Sequence, residues 1–302
     1  MSSLPVIAVA GGTGTLGKEL VSALLDPQLR SKYKDIIILT RDANTPRLAE
    51  WIQRGVLVRK YATEDVQSAV EALSGVDVLV NTIASRDDGF KSKLAAAIVS
   101  SSSSVKLYFP SEFGVDHYLH DFQHPEWDKK KAHFEAVAQR KNLKICRVFP
   151  GLFLEHSVGP WYGLDPKTGK YEFVGTGDNP ISYTSIVDLG RAVASAITSI
   201  PIADFPENLY FSGDLVSLRE ITNMLSASGV APAAEISSLE LPAFKAKTIA
   251  THGLDPAWYL RFLMAEGKID NASRNDNELV NPEERFWKWK KMKEHIGTMA
   301  EK

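Results

Sequence analysis

The stretch Val6-Ile7-Ala8-Val9-Ala10-Gly11-Gly12-Thr13-Gly14-Thr15-Leu16-Gly17-Lys18-Glu19-Leu20 decides the fold. Its first five residues are apolar and rich in β-branched side chains, the pattern of a strand buried on both faces. Glycines follow, and helix-period apolar residues then resume at Leu16, Leu20, Val21 and Leu24. The glycines satisfy two spacings together: Gly12, Gly14 and Gly17 form G-x-G-x-x-G, and Gly11, Gly14 and Gly17 form G-x-x-G-x-x-G. In a strand–turn–helix context one glycine permits a sharp turn and one lets the backbone approach a pyrophosphate. The last lets the helix pack closely on the strand. The helix N-terminus presents N–H groups and a partial positive charge to phosphates. A plain turn would leave four glycines within seven residues unexplained. Gly11, Thr13, Gly14, Thr15, Leu16 and Gly17 are therefore the candidate dinucleotide contacts.

Working outward, further buried strands are expected at 35–40, 56–60, 76–82, 105–110 and 144–149, with helices near 47–54, 65–73, 89–103 and 127–141. Strands alternating with helices imply right-handed crossovers and a parallel sheet. The fold class is α/β, a doubly wound parallel (Rossmann) sheet with a smaller C-terminal α+β substrate lobe. The expected division is residues 1–155 for the dinucleotide domain, with 186–200 packing back on it, and 156–302 for the substrate lobe and a closing amphipathic helix over 282–296. Within the lobe, 208–213 reads as a strand and 218–228 as a helix.

Composition narrows the class. A chain of 302 residues with net charge −2 carries no general field for nucleic acid or an anionic membrane. One cysteine, Cys146, excludes a disulfide framework and suits a reducing compartment. No signal-like or membrane-length apolar run is present in the sequence, so a cytoplasmic protein is expected.

A doubly wound sheet binds ligands beyond the carboxyl ends of its strands. The second strand ends in Thr40-Arg41-Asp42. An NAD-preferring site places an acid here for the ribose 2′-OH. Arg41 instead suits a 2′-phosphate through charge-assisted bonds and favours NADPH, with Asp42 the competing candidate. After the fourth strand, residues 81–85 are where the nicotinamide ribose and diphosphate should pass, and Ala84 is the candidate contact. Asp65, after the third strand, reads as a helix N-cap.

The fifth strand runs into Pro110-Ser111-Glu112-Phe113-Gly114, and Trp127-Asp128-Lys129-Lys130-Lys131-Ala132-His133-Phe134-Glu135 follows. Together with the glycine start and Arg41, these residues resemble the NmrA-like family of atypical short-chain dehydrogenase/reductases. That family includes isoflavone, pinoresinol-lariciresinol and phenylcoumaran benzylic ether reductases. The resemblance is close over residues 5–155 and extends to the rest only in layout. It implies an NADPH-dependent reductase with a helix-borne catalytic lysine, which Lys131 matches by spacing. Ordinary short-chain enzymes carry Tyr-x-x-x-Lys; here the pair is Trp127 and Lys131, and an indole N–H cannot exchange the catalytic proton. Lys131 would then bind the nicotinamide ribose and carry the proton, while Lys129 and Lys130 read as a solvated face. Ser111 falls where the superfamily carries its substrate-orienting serine, or else caps a turn.

The segment after the sixth strand should floor the nicotinamide pocket, with Phe149 and Gly151 the candidate contacts. Glu112, Phe113, His117, Phe153, Trp161 and Tyr162 are the candidate substrate contacts, with Glu112 tying down its loop. Three of the seven histidines lie in 117–124. Their spacing is not a zinc signature and the cofactor supplies the redox chemistry, so no metal is expected. The expected reaction is hydride transfer to a small hydrophobic, aromatic or alkaloid-like natural product in secondary metabolism. The competing readings are an NADPH-requiring redox-neutral cyclase or isomerase and a non-catalytic NADP(H)-sensing regulator. The expected partner is the small substrate alone, with no nucleic acid or membrane, in a monomer or homodimer.

Overall fold

The computed structural model describes residues 4–43, 46–62, 65–83, 88–251, 253 and 255–300. The chain divides into two compact units. The first comprises Met1–Glu112, Asp128–Val148 and Leu189–Leu209; the second comprises Phe113–Trp127, Phe149–Asp188 and Tyr210–Lys302.

The first unit is built on alternating strands and helices: β1 (Val6–Ala10), α1 (Thr15–Leu24), β2 (Asp35–Thr40), α2 (Arg47–Gln53), β3 (Leu57–Lys60), α3 (Val66–Ala72), β4 (Val78–Asn81), α4 (Asp88–Val99), β5 (Leu107–Phe109), α5 (Pro125–Ala138, its first turn assigned to the second unit) and β6 (Lys144–Ile145). The six strands pair in the order β3-β2-β1-β4-β5-β6, all in parallel. Chain order reverses between β1 and β4, which puts the switch point beside the glycine turn. Ile7, Ala8, Val9 and Ala10 are fully buried, as a strand covered by helices on both faces requires. Asp65 caps α3, its carboxylate accepting from the Gln67 and Ser68 backbone N–H groups.

The strand expected over 144–149 is two strands. β6 stays with β5, and the backbone N–H of Cys146 reaches the Tyr108 carbonyl at 2.9 Å. The chain then changes partner. β7 (Arg147–Phe149) leaves the large sheet, and the Arg147 N–H donates to the Glu207 carbonyl across 2.8 Å.

The remaining elements are β8 (Leu152–Phe153), β9 (Leu164–Asp165), β10 (Lys170–Val174), β11 (Ile181–Thr184), α6 (Ile186–Ser199), β12 (Asn208–Tyr210), β13 (Asp214–Val216), α7 (Leu218–Ala227), β14 (Glu235–Leu239), α8 (Leu241–Thr251), α9 (Pro256–Ala265), α10 (Asn277–Val280) and α11 (Met292–Ala300). β7 pairs with β12, and two three-stranded sheets, β14-β10-β9 and β13-β11-β8, frame the second unit. Its core holds Tyr171, Phe173, Tyr183, Tyr259, Phe262 and Met292. In the first unit α6 lies so close to α1 that a Cβ on Gly190 would stand 2.7 Å from the Glu19 carbonyl carbon.

The closing helix expected over 282–296 begins only at Met292. Pro282 opens a short 3₁₀ turn, and the Asn281 side chain then occupies the backbone beyond it, accepting from Phe286 N–H and donating to the Trp287 carbonyl. The α11 N-terminus is held by carboxylates: Asp214 accepts from Met292 N–H at 2.8 Å and Glu294 from Lys291 N–H at 2.7 Å. Asp188 accepts from Lys290 N–H at 2.7 Å. Acids on remote elements set where this helix starts.

Candidate functional site

The glycine turn closes with a 2.9 Å bond from Gly14 N–H to the Gly11 carbonyl. Gly11 has φ +79°, and a Cβ there would lie 2.9 Å from Thr82 Oγ1. Thr82 is itself fixed, its hydroxyl donating to the Ala10 carbonyl at 2.8 Å. A Cβ on Gly17 would overlap the Gly11 carbonyl and approach Gly12 Cα to 2.7 Å. Helix α1 starts at Thr15 with no side-chain cap and no acid in its first turn. Its leading N–H groups therefore suit an anion. Thr13 is half-buried, Gly14 and Thr15 are exposed, and Leu16 turns its side chain into the core, leaving its N–H as the group it can offer. A close-approach turn feeding an uncapped helix fits a dinucleotide diphosphate.

Arg41 and Asp42 are both exposed just beyond β2. The Thr40 hydroxyl accepts from Asp42 N–H and donates to its carbonyl, shaping the turn that carries them. Ala84 lies outside the described residues.

Beyond β5, the Ser111 hydroxyl donates to the Ile83 carbonyl at 2.8 Å. Glu112 is buried at 2% exposure. Lys130 Nζ donates to the Glu112 carbonyl at 2.8 Å and lies 3.8 Å from its carboxylate. Lys130 is thus no solvated residue, because the buried Glu112 turn draws it inward. Lys131, the next residue on α5, is partly buried with Nζ 4.0 Å from Asp128 Oδ1.

A polar chain with a buried centre and half-buried ends connects to these residues. Ile83 N–H donates to Asn81 Oδ1 at 3.0 Å, which leaves Asn81 Nδ2 to donate to the Tyr108 hydroxyl at 3.1 Å. The hydroxyl lies 2.7 Å from His133 Nε2. Burial, and then the nearby Lys91 charge, lower the His133 pKa to about 4. Burial raises the Tyr108 phenol far above its ordinary value. Both groups are neutral near pH 7, so the phenol donates to the imidazole. Asn81 lies in the expected 81–85 passage, whereas Tyr108 and His133 are site-bordering residues that the sequence reading missed. The only local signal was a polar side chain ending an otherwise apolar buried strand, which needs a partner.

In the second unit, His117 is buried against Trp127 with nearly parallel rings 6.2 Å apart, and edge-on to Phe149 at 6.5 Å. His124 packs on Trp127 and Tyr259 at 4.3 and 4.6 Å. Trp127 is therefore a member of an aromatic stack. Phe113 is buried nearby in the chain. Asp116 fixes the His117 turn, accepting from Tyr118 N–H and from the Tyr210 hydroxyl at 2.7 Å. Gly151, φ +72°, is the residue whose Cβ would strike the Ser182 carbonyl. Phe153 and Trp161 meet at His156: Phe153 stacks edge-on to its ring, and the half-exposed Trp161 donates to its carbonyl at 3.1 Å. Tyr162 contacts Trp161, and burial, then the Asp255 charge, push its phenol up to about 12. Among the described residues no group of three or more His, Cys, Asp or Glu side chains is arranged to hold a metal. No helix there is long and apolar enough to cross a membrane.

A switch-point glycine turn, an uncapped helix and a lysine-bearing α5 beside β5 define a dinucleotide-binding α/β protein of the short-chain reductase type. Within that class, residues 4–246 match the NmrA-like family, and the chain belongs to it. It is 26% identical to phenylcoumaran benzylic ether reductase 1 of Arabidopsis thaliana over 240 residues, 73% of this chain and 75% of that protein. It is 25% identical to probable pinoresinol-lariciresinol reductase 3 of the same plant over 228 residues, 72% and 71% of the two chains. Among solved structures, AtPrR2 with NADP+ and (+)pinoresinol shares the fold at TM-score 0.79 and 20% identity, covering 99% of this chain and 100% of that one. The leucoanthocyanidin reductase–NADPH complex from Vitis vinifera does so at TM-score 0.79 and 17% identity, covering 98% and 100%.

Proposed function

We propose that the protein reduces a small hydrophobic, aromatic natural product at the expense of NADPH. It is an NADP-dependent oxidoreductase of the NmrA-like type. The observation that carries this reading is the glycine turn, where Gly11 and Gly17 leave no room for a Cβ at the mouth of an uncapped helix. Gly11, Thr13, Gly14, Thr15, Leu16 and Gly17 hold the diphosphate, and Arg41 the 2′-phosphate. The turn after β4, at Ile83, borders the nicotinamide. NADPH, when bound, supplies the hydride.

The residues of the chain do the rest. Lys131 binds the nicotinamide ribose and delivers the proton, directly or through a water, so that substrate, hydride and one proton give a product heavier by two hydrogens. Trp127 cannot share this role, because its indole donates without titrating and lies in the aromatic stack. Ser111 holds the Ile83 carbonyl, and Glu112 with Lys130 fixes the turn that follows. Phe153, Trp161 and Tyr162 supply aromatic surface suited to stacking on a ring, whereas His117 and Phe113 are buried within the same unit. The aromatic content of the second unit and the reductase names of the curated relatives support this substrate class.

The test is NADPH absorbance with a panel of aromatic enones, imines and benzylic ethers, products being followed by mass spectrometry. NADPH consumption with a mass gain of two hydrogens is the expected result. Product of unchanged mass that still requires NADPH would indicate redox-neutral chemistry, and tight binding without product a sensor.

A further inference from the structure

The chain Ile83–Asn81–Tyr108–His133 takes no part in the chemistry above, yet it joins two parts of the site. It starts at the turn after β4 and ends on α5, two residues beyond Lys131. The Ile83 peptide is held on both sides, its N–H by Asn81 and its carbonyl by Ser111. Helix α5 is likewise held at two points three residues apart, Lys130 on the Glu112 carbonyl and His133 on the Tyr108 hydroxyl. Residues three apart share a helix face, and Lys131 sits about 100° around from Lys130, at the edge of that pinned face.

We infer that Tyr108 and His133 are positioning residues, which lock the β4 turn to the helix that carries Lys131. The inference rests on the reading above of the β4 turn as part of the cofactor seat and of Lys131 as the proton-carrying group. Tyr108 is the central link because its single hydroxyl serves both neighbours, accepting from Asn81 and donating to His133. Its loss strands a buried amide donor and a half-buried imidazole acceptor at once, so the chain fails as a unit. The imidazole is kept in its accepting form by its surroundings: desolvation disfavours its charged form first, Lys91 on α4 then opposes a second positive charge, the Tyr108 face is neutral, and the Glu112 carboxylate acts on Tyr108 from beyond β5. Nothing in this chain touches substrate, so its contribution lies in distance. A misplacement of about 1 Å costs up to about a hundredfold in rate.

The test compares wild type with Tyr108→Phe, His133→Leu and His133→Gln, whose side-chain oxygen can still accept from Tyr108. Each is studied at a temperature where circular dichroism shows it folded. NADPH binding is followed by fluorescence, the imidazole nitrogens by NMR, and turnover with whichever panel compound the wild type reduces. In wild type, added NADPH should shift the His133 Nε2 resonance. In Tyr108→Phe that response should vanish, NADPH should bind about three- to tenfold more weakly, and kcat should fall about ten- to a hundredfold with KM little changed. His133→Leu should match it in binding and kcat, whereas His133→Gln should stay within about threefold of wild type. A purely structural role would lower the unfolding temperature while leaving kcat and the resonance response intact. Normal binding with no resonance response, and a Tyr108→Phe enzyme as fast as wild type, would overturn the inference. A wild type that binds no NADPH would instead overturn the functional reading, and the inference with it.

Discussion

Lowering the pH from 7.5 to 5 should destabilise this protein through His133, and replacing that residue by glutamine should remove the effect. The imidazole accepts a hydrogen bond inside the first unit and titrates near 4, below its ordinary value of 6.5, because it is buried and faces Lys91. Between those two values the unfolded chain takes up a proton that the folded chain refuses. Stability therefore falls as pH drops through about 6.5, and the loss is complete once pH passes below about 4. At pH 5 the unfolded imidazole is almost fully charged and the folded one almost fully neutral, and the linkage relation gives a loss of about 2 kcal/mol. For urea slopes of about 1–3 kcal/mol/M this moves the unfolding midpoint by about 0.7–2 M. The amide introduced by His133→Gln accepts from Tyr108 without titrating. The difference between wild type and His133→Gln at the two pH values therefore isolates the histidine from the carboxylates common to both. Equal midpoint losses in the two proteins would refute the neutral, accepting imidazole on which the reasoning depends.

Gly17→Ala should cost at least about 1–3 kcal/mol by forcing a methyl group onto the Gly11 carbonyl. Gly14→Ala, whose Cβ would press on the Gly11 carbonyl only at 3.1 Å, should cost less stability than Gly17→Ala and lose NADPH affinity; thermal unfolding and fluorescence titration separate the two. Arg41→Ala should narrow the preference for NADPH over NADH by about ten- to a hundredfold, the worth of a charged hydrogen bond, and an unchanged ratio of dissociation constants would show that the 2′-phosphate lies elsewhere. Lys131→Ala should bind NADPH and lose about 10²–10⁴ in kcat, whereas full turnover would dismiss its proton-carrying role.

The features legible in the sequence are those decided within one stretch of chain. β1, the glycine turn and α1 follow from a single run of residues, and β2 from an uninterrupted apolar segment. The features that escaped depend on partners far along the chain. Nothing near Cys146 announces that β7 will turn from Tyr108 to Glu207. The start of α11 depends on Asp214 and Asp188, 78 and 102 residues before the N–H groups they hold. Three consecutive lysines point in three directions around a helix. Only the buried Glu112 carbonyl reveals that Lys130 turns inward, while Lys131 stays beside Asp128. The Asn81–Tyr108–His133 chain joins three elements, 27 and 25 residues apart, whose side chains read singly as ordinary.

The first unit is not one continuous piece of polypeptide, and this bears on how the protein is made. Residues 189–209 belong to it, with Gly190 seated against the Glu19 backbone. On the ribosome the sheet strands emerge long before that helix, so α1 waits with one face bare while the intervening residues are synthesised. Contacts closed across such sequence distances form slowly, and the exposed interval is when a chain is open to aggregation. The same reasoning sets the boundary for a minimal cofactor-binding fragment. One ending near residue 155 would leave α1 permanently uncovered, whereas one that grafts 189–209 back through a short linker would restore its cover.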